Sequence, residues 1–280
     1  MTYSHAEPKK SLMKSTKTPE PSSQLHNIGV LVTRPAHQAE PLCRLIEQYD
    51  GIPIRFPVLE ISDIEDNHHL TTQIERLDEF DIAIFISPNA VNKAIDLVRS
   101  NRKWPNKIKI AAVGKSSAKA LDSLGLIVDI FPSLSFNSEA LLELEPMLNV
   151  AGKSIIIFRG VGGREHLAET LTSRGANVEY AECYRRVKPQ INASELIKRG
   201  KSGEIKIIIC TSNEGLHNLY DLVGSEGRQW LTNTAIIVVS KRAAELARHL
   251  GFNSDVLISE RANDDAILNS VLLWSSMKEV

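Results

Sequence analysis

Cysteine is scarce in this chain, and no cysteine has a close partner in sequence. Cys43, Cys183 and Cys210 are the 3 cysteines among 280 residues, and they form no C-x-x-C pair. Neither a disulfide framework nor a cysteine zinc site is therefore indicated. The adjacent His68 and His69 lack the spacing of a metal-ligand pair, so we expect them in a surface loop and predict no metal site. Few, dispersed thiols favour a reduced, cytoplasmic setting.

The chain also lacks an excess of charge and any long apolar run. Lysine and arginine number 33 against 34 aspartate and glutamate, so no basic surplus exists for nucleic acid or an anionic membrane. The apolar runs "SIIIF" and "AIIVV" have the length of strands, far below the ~20 residues that cross a bilayer. Residues 1–27 are polar and contain no apolar core of a secretory signal, so we expect a disordered tail.

Common catalytic motifs are missing as well. The sequence contains no G-x-S-x-G elbow, no P-loop lysine motif and no H-E-x-x-H. The stretch "GVGGRE" lacks the third glycine of a dinucleotide fingerprint, and no clear ribose-binding acid follows it. None of these motifs indicates the function, so the order of strands, helices and repeats is the remaining guide to it.

Short β-branched runs alternate with amphipathic stretches from Ile28 onward. "IGVLVT" is typical of a buried strand, and "AHQAEPLCRLIEQY" is typical of a helix with Pro41 near its first turn. "DIAIFIS" followed by "PNAVNKAIDLVRS" repeats the plan. Continuous apolar strands joined by helices predict an α/β fold with parallel sheets covered on both faces.

The chain contains an internal repeat. "VLVTR" matches "IIIFR", with Arg34 and Arg159 at equivalent positions 125 residues apart. "IAIFISPNAVNKAIDLV" matches "IIICTSNEGLHNLYDLV" at the same offset, and "AAVGKSSAKALDSLGL" matches "IVVSKRAAELARHLGF" at an offset of 126. Three matches in the same order at a nearly constant offset indicate a duplicated α/β unit.

Two further pieces, "GIPIRFPVLEIS" and "GANVEYAECYRRV", occupy equivalent places in the two repeats. Pro53 and Pro57 disfavour a central strand there and favour an edge strand or a linker. The simplest geometry lets each piece leave its own unit and cross to the other lobe, with a ligand cleft between the lobes. The predicted domains are lobe 1 (28–50 plus 189–274), a hinge β-ladder (51–61 and 176–188) and lobe 2 (62–175).

Turns that follow parallel strands are candidate ligand sites, because these turns line the carboxyl edge of a sheet. "RGVGGR" places three glycines and an arginine between a strand and a helix, where backbone N–H groups can bind an anion. A tight glycine turn with a solvated arginine is the alternative. The candidate residues of this turn are Arg159, Gly160, Gly162, Gly163 and Arg164.

The equivalent turns elsewhere carry small polar residues. Plain N-capping is the alternative to ligand binding for Ser87, Asn89, Ser212 and Asn213, and the two roles are compatible. Further candidates in such turns are Gly114, Ser116, Ser117, Ser240 and Lys241. Tyr184, in the second crossing piece, is a bulky hydroxyl expected near the cleft. Its spacing alone favours a packing or hinge role.

Five motifs in order resemble the uroporphyrinogen-III synthase family. They are "VLVTRP", "FISPNAV", "AAVGKSSAKAL", "FRGVGGRE" and "VEYAECYRR", and the resemblance runs from about Ile28 to the C-terminus. It implies two flavodoxin-like lobes joined by a two-stranded β-ladder. It also implies a reaction without metal or organic cofactor, in which the linear tetrapyrrole hydroxymethylbilane loses its terminal hydroxyl, closes through cationic azafulvene species and inverts its last ring.

The resemblance also assigns roles to residues. Tyr184 matches the tyrosine favoured as helper for departure of the hydroxyl. Ser117 stands where many relatives have threonine, and Ser87 and Ser212 match positions that face the cleft. Ala243 stands where many relatives have another threonine, so Ser240 is left as the hydroxyl in that turn. The glycine turn would line the opposite lobe. The expected substrate-binding residues are Arg34, Ser87, Asn89, Gly114, Ser117, Arg159, Gly160, Gly163, Arg164, Ser212, Asn213 and Ser240.

The resemblance also leads to expectations about partners. The implied partner is the small molecule hydroxymethylbilane, with transient handover from hydroxymethylbilane synthase, a monomeric state, and no nucleic acid or membrane. Two alternatives stay open: a two-lobed solute-binding protein, which also folds as paired α/β lobes, and a regulatory relative that has lost activity.

Overall fold

A computed structural model describes residues 25–278, and these fall into two compact units. Unit 1 consists of residues 25–58 and 190–278, and unit 2 consists of residues 59–189. Of the disordered tail expected at residues 1–27, residues 1–24 lie outside the described part of the chain. Leu25 already belongs to the folded part, because its side chain is fully buried and its N–H donates to the Tyr49 carbonyl at 2.6 Å.

Strands and helices alternate along most of the described chain. The strands are β1 (Gly29–Val32), β2 (Ile52–Arg55), β3 (Glu60–Ser62), β4 (Ile82–Phe85), β5 (Lys109–Ala112), β6 (Ser154–Gly160), β7 (Asn177–Val187), β8 (Ile205–Cys210), β9 (Ala235–Val238) and β10 (Val256–Ile258). The helices are α1 (Ala36–Gln48), α2 (His68–Glu75), α3 (Pro88–Asn101), α4 (Lys115–Ser123), α5 (Ser138–Leu142), α6 (Glu145–Leu148), α7 (His166–Ser173), α8 (Ser194–Lys201), α9 (Asn213–Thr232), α10 (Lys241–His249) and α11 (Asp264–Lys278), with a 3₁₀ turn at Leu77–Glu79. His68 and His69 thus begin a helix, exposed to solvent, instead of lying in a loop.

Unit 1 contains a five-stranded sheet in the order β10-β9-β8-β1-β2, and all of its neighbouring strands are parallel. Its edge strand β2 holds Pro53, which lacks an N–H and is tolerated at an edge for that reason. Residues 52–55, which the sequence analysis assigned to a hinge, therefore belong to this sheet.

Unit 2 contains a second sheet in the order β3-β7-β6-β4-β5, in which only the short strand β3 is antiparallel to its neighbour within the described residues. Strand β7 pairs with β6 over most of its length, so the segment 176–188 is also largely a sheet strand. The expected antiparallel ladder is confined to Glu60–Ser62 against Arg185–Val187. Its role as a hinge stays a prediction.

The duplicated plan predicted from the sequence is visible in the strand order. The strand order β9-β8-β1-β2 of unit 1 corresponds to the order β5-β4-β6-β7 of unit 2. Strand β10, which pairs with β9 in unit 1, has as its counterpart in unit 2 a single parallel bridge between Ala111 of β5 and Ile130. Each sheet takes strands from both halves of the sequence. The predicted α/β class with two parallel-dominated sheets is confirmed.

Both faces of each sheet are covered by helices, which explains the nearly continuous apolar strands. Helices α8, α9 and α10 pack on one face in unit 1, and α1 and α11 pack on the other. In unit 2 the face covered by α2, α3 and α4 includes Phe85 and Phe158, whose rings stack at 4.7 Å near the ends of their strands. Within residues 25–278 we find no helix that combines the length and the apolarity needed to span a membrane.

Candidate active site

The carboxyl ends of four strands in unit 2 bring candidate residues to one edge of its sheet. Strands β4, β5, β6 and β7 are parallel, so the residues that follow them lie on the same side. Ser87 follows β4, Gly114 follows β5, Gly160 ends β6, and Tyr184 lies near the end of β7. This edge therefore collects the strongest candidates of the sequence analysis.

A β-bulge in β7 sets the direction of Tyr184. Arg159 pairs with Glu182 but Gly160 pairs with Tyr184, so Cys183 is an extra residue in the ladder. The bulge breaks the alternation of β7 and places Cys183 and Tyr184 in the same buried cluster, beneath α3. The Tyr184 ring then lies against Gly160, where a Cβ would come within 2.6 Å of ring atom Cε2. Glycine at position 160 makes room for this tyrosine.

Ser87 links Tyr184 to the first turn of α3. The Ser87 hydroxyl oxygen caps this helix by accepting a hydrogen bond from Ala90 N–H at 3.1 Å, as its N-cap interpretation predicted. The same oxygen lies 3.0 Å from the Tyr184 hydroxyl, and either group can be the donor. Tyr184 is 4% exposed, so its orientation is fixed by packing on the ring and by this contact on the hydroxyl.

Arg159 is fully engaged in shaping the glycine turn. Its side chain is 2% exposed. The guanidinium donates hydrogen bonds to the carbonyls of Gly160 and Gly162 and to Glu165 Oε1. The guanidinium carbon also lies 4.3 Å from the centre of the Tyr180 ring. The positive φ of Gly162 and Gly163, at 69° and 114°, lets the turn wrap around this guanidinium. The solvated arginine of the alternative interpretation is therefore found at Arg164, not at Arg159, since the Arg164 side chain is 86% exposed.

Tyr180 and Glu165 complete this cluster and were not singled out in the sequence. Burial, and then the neighbouring Glu165 carboxylate, raises the pKa of the Tyr180 hydroxyl to about 12. The Tyr180 hydroxyl and the Arg159 guanidinium in turn hold the pKa of Glu165 below its usual range. The Tyr180 oxygen is buried and has no hydrogen bond of good geometry among the described residues. Period-2 alternation along β7 was the signal that could have placed Tyr180 beside Arg159.

A pocket of about 300 Å³ opens beside these groups. Its walls include Arg159, Gly160, Gly163, Arg164, Tyr180 and Tyr184. Ser87, Asn89, Gly114 and Ser117 are not among its lining residues, although Val113, the residue before Gly114, is. The glycine turn and Ser87 belong to adjacent strands of one sheet, so the turn does not lie opposite Ser87 as the resemblance implied.

Helix α4 begins differently from its counterpart α10. Gly114 is the N-cap of α4 and supplies no side-chain hydrogen bond, whereas the equivalent Ser240 caps α10 by accepting from Ala243 N–H at 3.1 Å. The Ser117 side chain is 2% exposed in the first turn of α4. Within residues 25–278, the N-cap Gly114 thus gives the N–H groups at the start of α4 no side-chain acceptor.

The candidates of unit 1 lie at the carboxyl edge of its own sheet. Ser212 caps α9 by accepting from Gly215 N–H at 2.9 Å, which confirms its capping interpretation, and Asn213 is the first residue inside that helix. Arg34 follows β1 and forms an ion pair with Asp264 at the start of α11. In unit 2, Asn89 is like Asn213 in that it also lies inside the first turn of its helix, α3. Asn89 and Asn213 are therefore not N-caps, contrary to their capping interpretation.

The described residues contain no cluster of three or more histidine, cysteine, aspartate or glutamate side chains suited to a metal ion. All three cysteines are buried free thiols, and burial raises the pKa of Cys183 to about 12 and that of Cys210 to about 11. These thiols are protonated near neutral pH and unreactive as nucleophiles.

Comparisons with known proteins identify the family of the chain. The family model for uroporphyrinogen-III synthase HemD matches residues 40–269. Uroporphyrinogen-III synthase of Escherichia coli (strain K12) is 35% identical over 246 residues, which cover 87% of this chain and 100% of that protein.

Two solved structures share the fold. A mutant uroporphyrinogen III synthase of the extremely thermophilic bacterium Thermus thermophilus matches with a TM-score of 0.57 at 18% identity, over 90% of this chain and 99% of that one. Uroporphyrinogen-III synthetase of Helicobacter pylori 26695 matches with a TM-score of 0.55 at 17% identity, over 88% and 99%. The sequence match, supported by this shared fold, shows that the chain belongs to the uroporphyrinogen-III synthase family.

Proposed function

We propose that Tyr184 and the turns around it carry out the reaction of this family. The chain is a lyase that closes hydroxymethylbilane, with inversion of ring D and loss of water, to uroporphyrinogen III in heme biosynthesis. The observation that supports this location is the Tyr184–Ser87 hydroxyl pair, 3.0 Å apart, beside the pocket of unit 2. A solute-binding protein and an inactive regulatory relative are not favoured as alternatives.

In this proposal Tyr184 assists the departing hydroxyl of the bilane. Ser87 Oγ accepts from Ala90 N–H and keeps its own proton to donate to the Tyr184 oxygen. The Tyr184 proton is then free to pass to the leaving hydroxyl, which departs as water and leaves a cationic azafulvene. The Ser87 hydroxyl and the positive N-terminus of α3 stabilise the phenolate that forms. A proton released when the closing ring regains aromaticity returns to Tyr184, so the step balances.

Backbone N–H groups bind the substrate carboxylates in this proposal. The Val161 and Gly162 N–H groups already donate to the Tyr184 carbonyl and to Glu182, at 2.8 and 3.1 Å. We therefore assign the N–H groups of Gly163 and Arg164 to a carboxylate, with Arg159 as the positioning residue that holds the turn. The start of α4, at Gly114 and Ser117, offers a second place because it has no capping side chain.

Unit 1 offers the same chemistry at its own sheet edge, where we propose roles for Arg34, Ser212, Asn213 and Ser240. The bilane carries eight carboxylates, whereas this chain has a net charge of −1. Helix N-termini and main-chain amides can bind these carboxylates without a surplus of basic side chains. Fixing one conformation of a reactive bilane is mainly a matter of positioning. We also propose a monomeric enzyme that acts in the cytoplasm and receives the bilane from hydroxymethylbilane synthase.

The isomer of the product tests the proposed function. Hydroxymethylbilane generated enzymatically in the presence of this chain is expected to yield the type III isomer, resolved from type I by chromatography after oxidation. The bilane also closes without a catalyst to the type I isomer. Recovery of type I alone at all enzyme concentrations contradicts the function.

A further inference from the structure

A loop at residues 131–137 borders the pocket of unit 2. It follows Ile130, whose bridge to Ala111 extends the sheet beyond β5. Because this bridge is parallel, the loop leaves the sheet at its carboxyl edge, on the side where α4 begins. Val113, which precedes the turn into α4, and Ser138, which directly follows the loop, both line the pocket. The loop and the start of α4 therefore lie beside the candidate active site.

The loop exposes two apolar side chains to solvent. Leu134 is 92% exposed and Phe136 is 37% exposed. The Phe136 ring is nevertheless held in place, because it stacks on Phe131 at 5.5 Å and Phe131 packs on the core of the unit. An aromatic ring that is fixed and partly open, next to a pocket, is suited to binding a flat apolar group.

Lys115, the first residue of α4, reaches this ring. Its Nζ lies 4.4 Å from the centre of the Phe136 ring. Lys115 is exposed and forms no ion pair with a carboxylate of residues 25–278. A cation in the first turn of a helix meets the positive end of the helix dipole, so helix stability does not favour a lysine here. The ring attracts the ammonium group but does not neutralise it, and its charge remains available to an anion.

The start of α4 offers further hydrogen-bond donors next to Lys115. Gly114 is the N-cap and provides no side-chain hydrogen bond to the first turn. Ser117, in that turn, is 2% exposed, and its hydroxyl makes no hydrogen bond with another described residue, although its oxygen is not sealed from the surface. A hydroxyl buried to this extent is normally paired. These donors call for an acceptor that the described chain does not supply.

We propose that Lys115 and Phe136 bind one pyrrole ring of the bilane, other than the ring that loses its hydroxyl at Tyr184. A carboxylate of this ring pairs with the Lys115 ammonium and accepts hydrogen bonds from the start of α4, while the ring itself packs against the exposed part of Phe136. This assignment rests on the proposed function, in which the substrate carries eight carboxylates on four pyrroles.

The sheet separates this pair from the reacting group. Strands β4 and β6 lie between β5 and β7, so three strand spacings of about 4.8 Å place the two strand ends about 14 Å apart. A single pyrrole does not bridge this distance, whereas a linear tetrapyrrole can. Lys115 and Phe136 therefore position the substrate without touching the bond that breaks.

Steady-state kinetics of the full chain with enzymatically generated hydroxymethylbilane tests this proposal. Lys115→Gln is expected to raise KM about tenfold, because it removes a charge-assisted contact, and Phe136→Ala is expected to raise KM about threefold. Neither change is expected to alter kcat or the ratio of type III to type I product at saturation. Lys115→Arg and Phe136→Tyr, which keep the charge and the ring, are expected to restore KM.

Lys119→Gln is the matched control, because Lys119 is an exposed lysine one turn further from the start of the same helix. It is expected to keep the KM of the unaltered chain. Lys115→Gln is expected to leave the thermal unfolding midpoint nearly unchanged, since relief of an unfavourable charge at the helix start offsets the lost contact with Phe136. A lower midpoint with an unaltered KM would show that the pair only holds the loop, and it overturns the proposal.

Two further results separate this inference from the proposed function. Type III product with an unaltered KM in Lys115→Gln, or with an equal rise of KM in Lys119→Gln, overturns the inference and leaves the proposed function standing. Type I product alone from the unaltered chain overturns both.

Discussion

Two tyrosines of β7 differ in their surroundings more than their sequence positions suggest. Without the bulge at Cys183, Tyr180 and Tyr184 would point to the same face of the sheet. With the bulge, Tyr184 enters the cluster beneath α3 and meets Ser87, whereas Tyr180 packs on the opposite face under the Arg159 guanidinium. One extra residue therefore decides which phenol contacts the helix start.

Replacing Ser87 tests whether it positions Tyr184. Ser87→Ala removes the cap of α3, worth about 1 kcal/mol, and also the hydrogen bond to the tyrosine. We expect a small drop in the unfolding midpoint together with a drop in kcat of at least about tenfold. Steady-state assays and thermal unfolding measure the two effects.

The control for Ser87→Ala is Asn137→Ala, which removes the cap of α5 in the same unit. It is expected to lower the unfolding midpoint without lowering kcat. Equal kcat in both variants would show that Ser87 is only a cap. Rescue of kcat by Ser87→Thr, which keeps a hydroxyl, is expected if the hydrogen bond matters.

At this scale the sequence predicted residue types better than residue roles. Capping was the alternative interpretation for Ser87, Asn89, Ser212 and Asn213, and the two serines are caps whereas the two asparagines lie inside their helices. The role of Arg159 did not follow, because the conformation of the turn determines that its guanidinium is used internally. The orientation of Tyr184 depends on a bulge in β7, and the residue types around Cys183 do not mark where that bulge lies.

At the scale of elements, one carboxylate makes two contacts with the last helix of unit 1. Asp255, just before β10, accepts from Trp274 Nε1 and pairs with Lys278 Nζ, both at 2.9 Å. Both contacts come from α11. Lys278, followed by Trp274, holds the pKa of Asp255 below its usual value.

The pH dependence of this contact has a definite sign. The carboxylate pKa is lower in the folded state, so its contribution is present above the unfolded value of about 3.9 and is lost as the pH falls through the folded value. Asp255 and Lys278 are both about half exposed, so solvent screening keeps the contribution small. We expect Asp255→Asn to lower the unfolding midpoint near pH 7 by about 1–2 °C.

Thermal unfolding between about pH 2 and pH 8 measures this effect. The difference between Asp255→Asn and the unaltered chain is expected to shrink below about pH 4. Asp122→Asn, an exposed carboxylate of α4, serves as control and is expected to show no such difference. A difference that persists unchanged at the acid end contradicts the assignment.

At the scale of the whole molecule, the strand order shows how the repeat is used. Each sheet joins a β-α-β segment from one half of the sequence to strands from the other half. The sequence predicted this exchange from the two pieces at equivalent places in the repeats, because the simplest geometry lets each piece cross to the other lobe. The domain limits were less predictable, since Pro53 marks an edge strand as readily as a linker.

Fragments of the chain test the independence of the two units. Unit 2 is one continuous segment, 59–189, with a core on both faces of its sheet, so we expect it to fold alone. Unit 1 draws β1 and β2 from the N-terminal segment, so residues 190–280 alone are expected to stay unfolded until residues 1–58 are added. Circular dichroism and amide exchange of the fragments measure this. A folded 190–280 fragment contradicts the account.

Comparing the two tyrosines of β7 tests the central claim most directly. Formation of uroporphyrinogen III by Tyr184→Phe and by Tyr180→Phe is measured as initial rate and as the ratio of type III to type I product. We expect Tyr184→Phe to lower the rate about 10²-fold, with the share of type I product rising accordingly. We expect Tyr180→Phe to keep the rate of the unaltered chain, because the Tyr180 hydroxyl makes no hydrogen bond of good geometry among the described residues. Equal rates in the two variants, with both folded, would contradict the role of Tyr184.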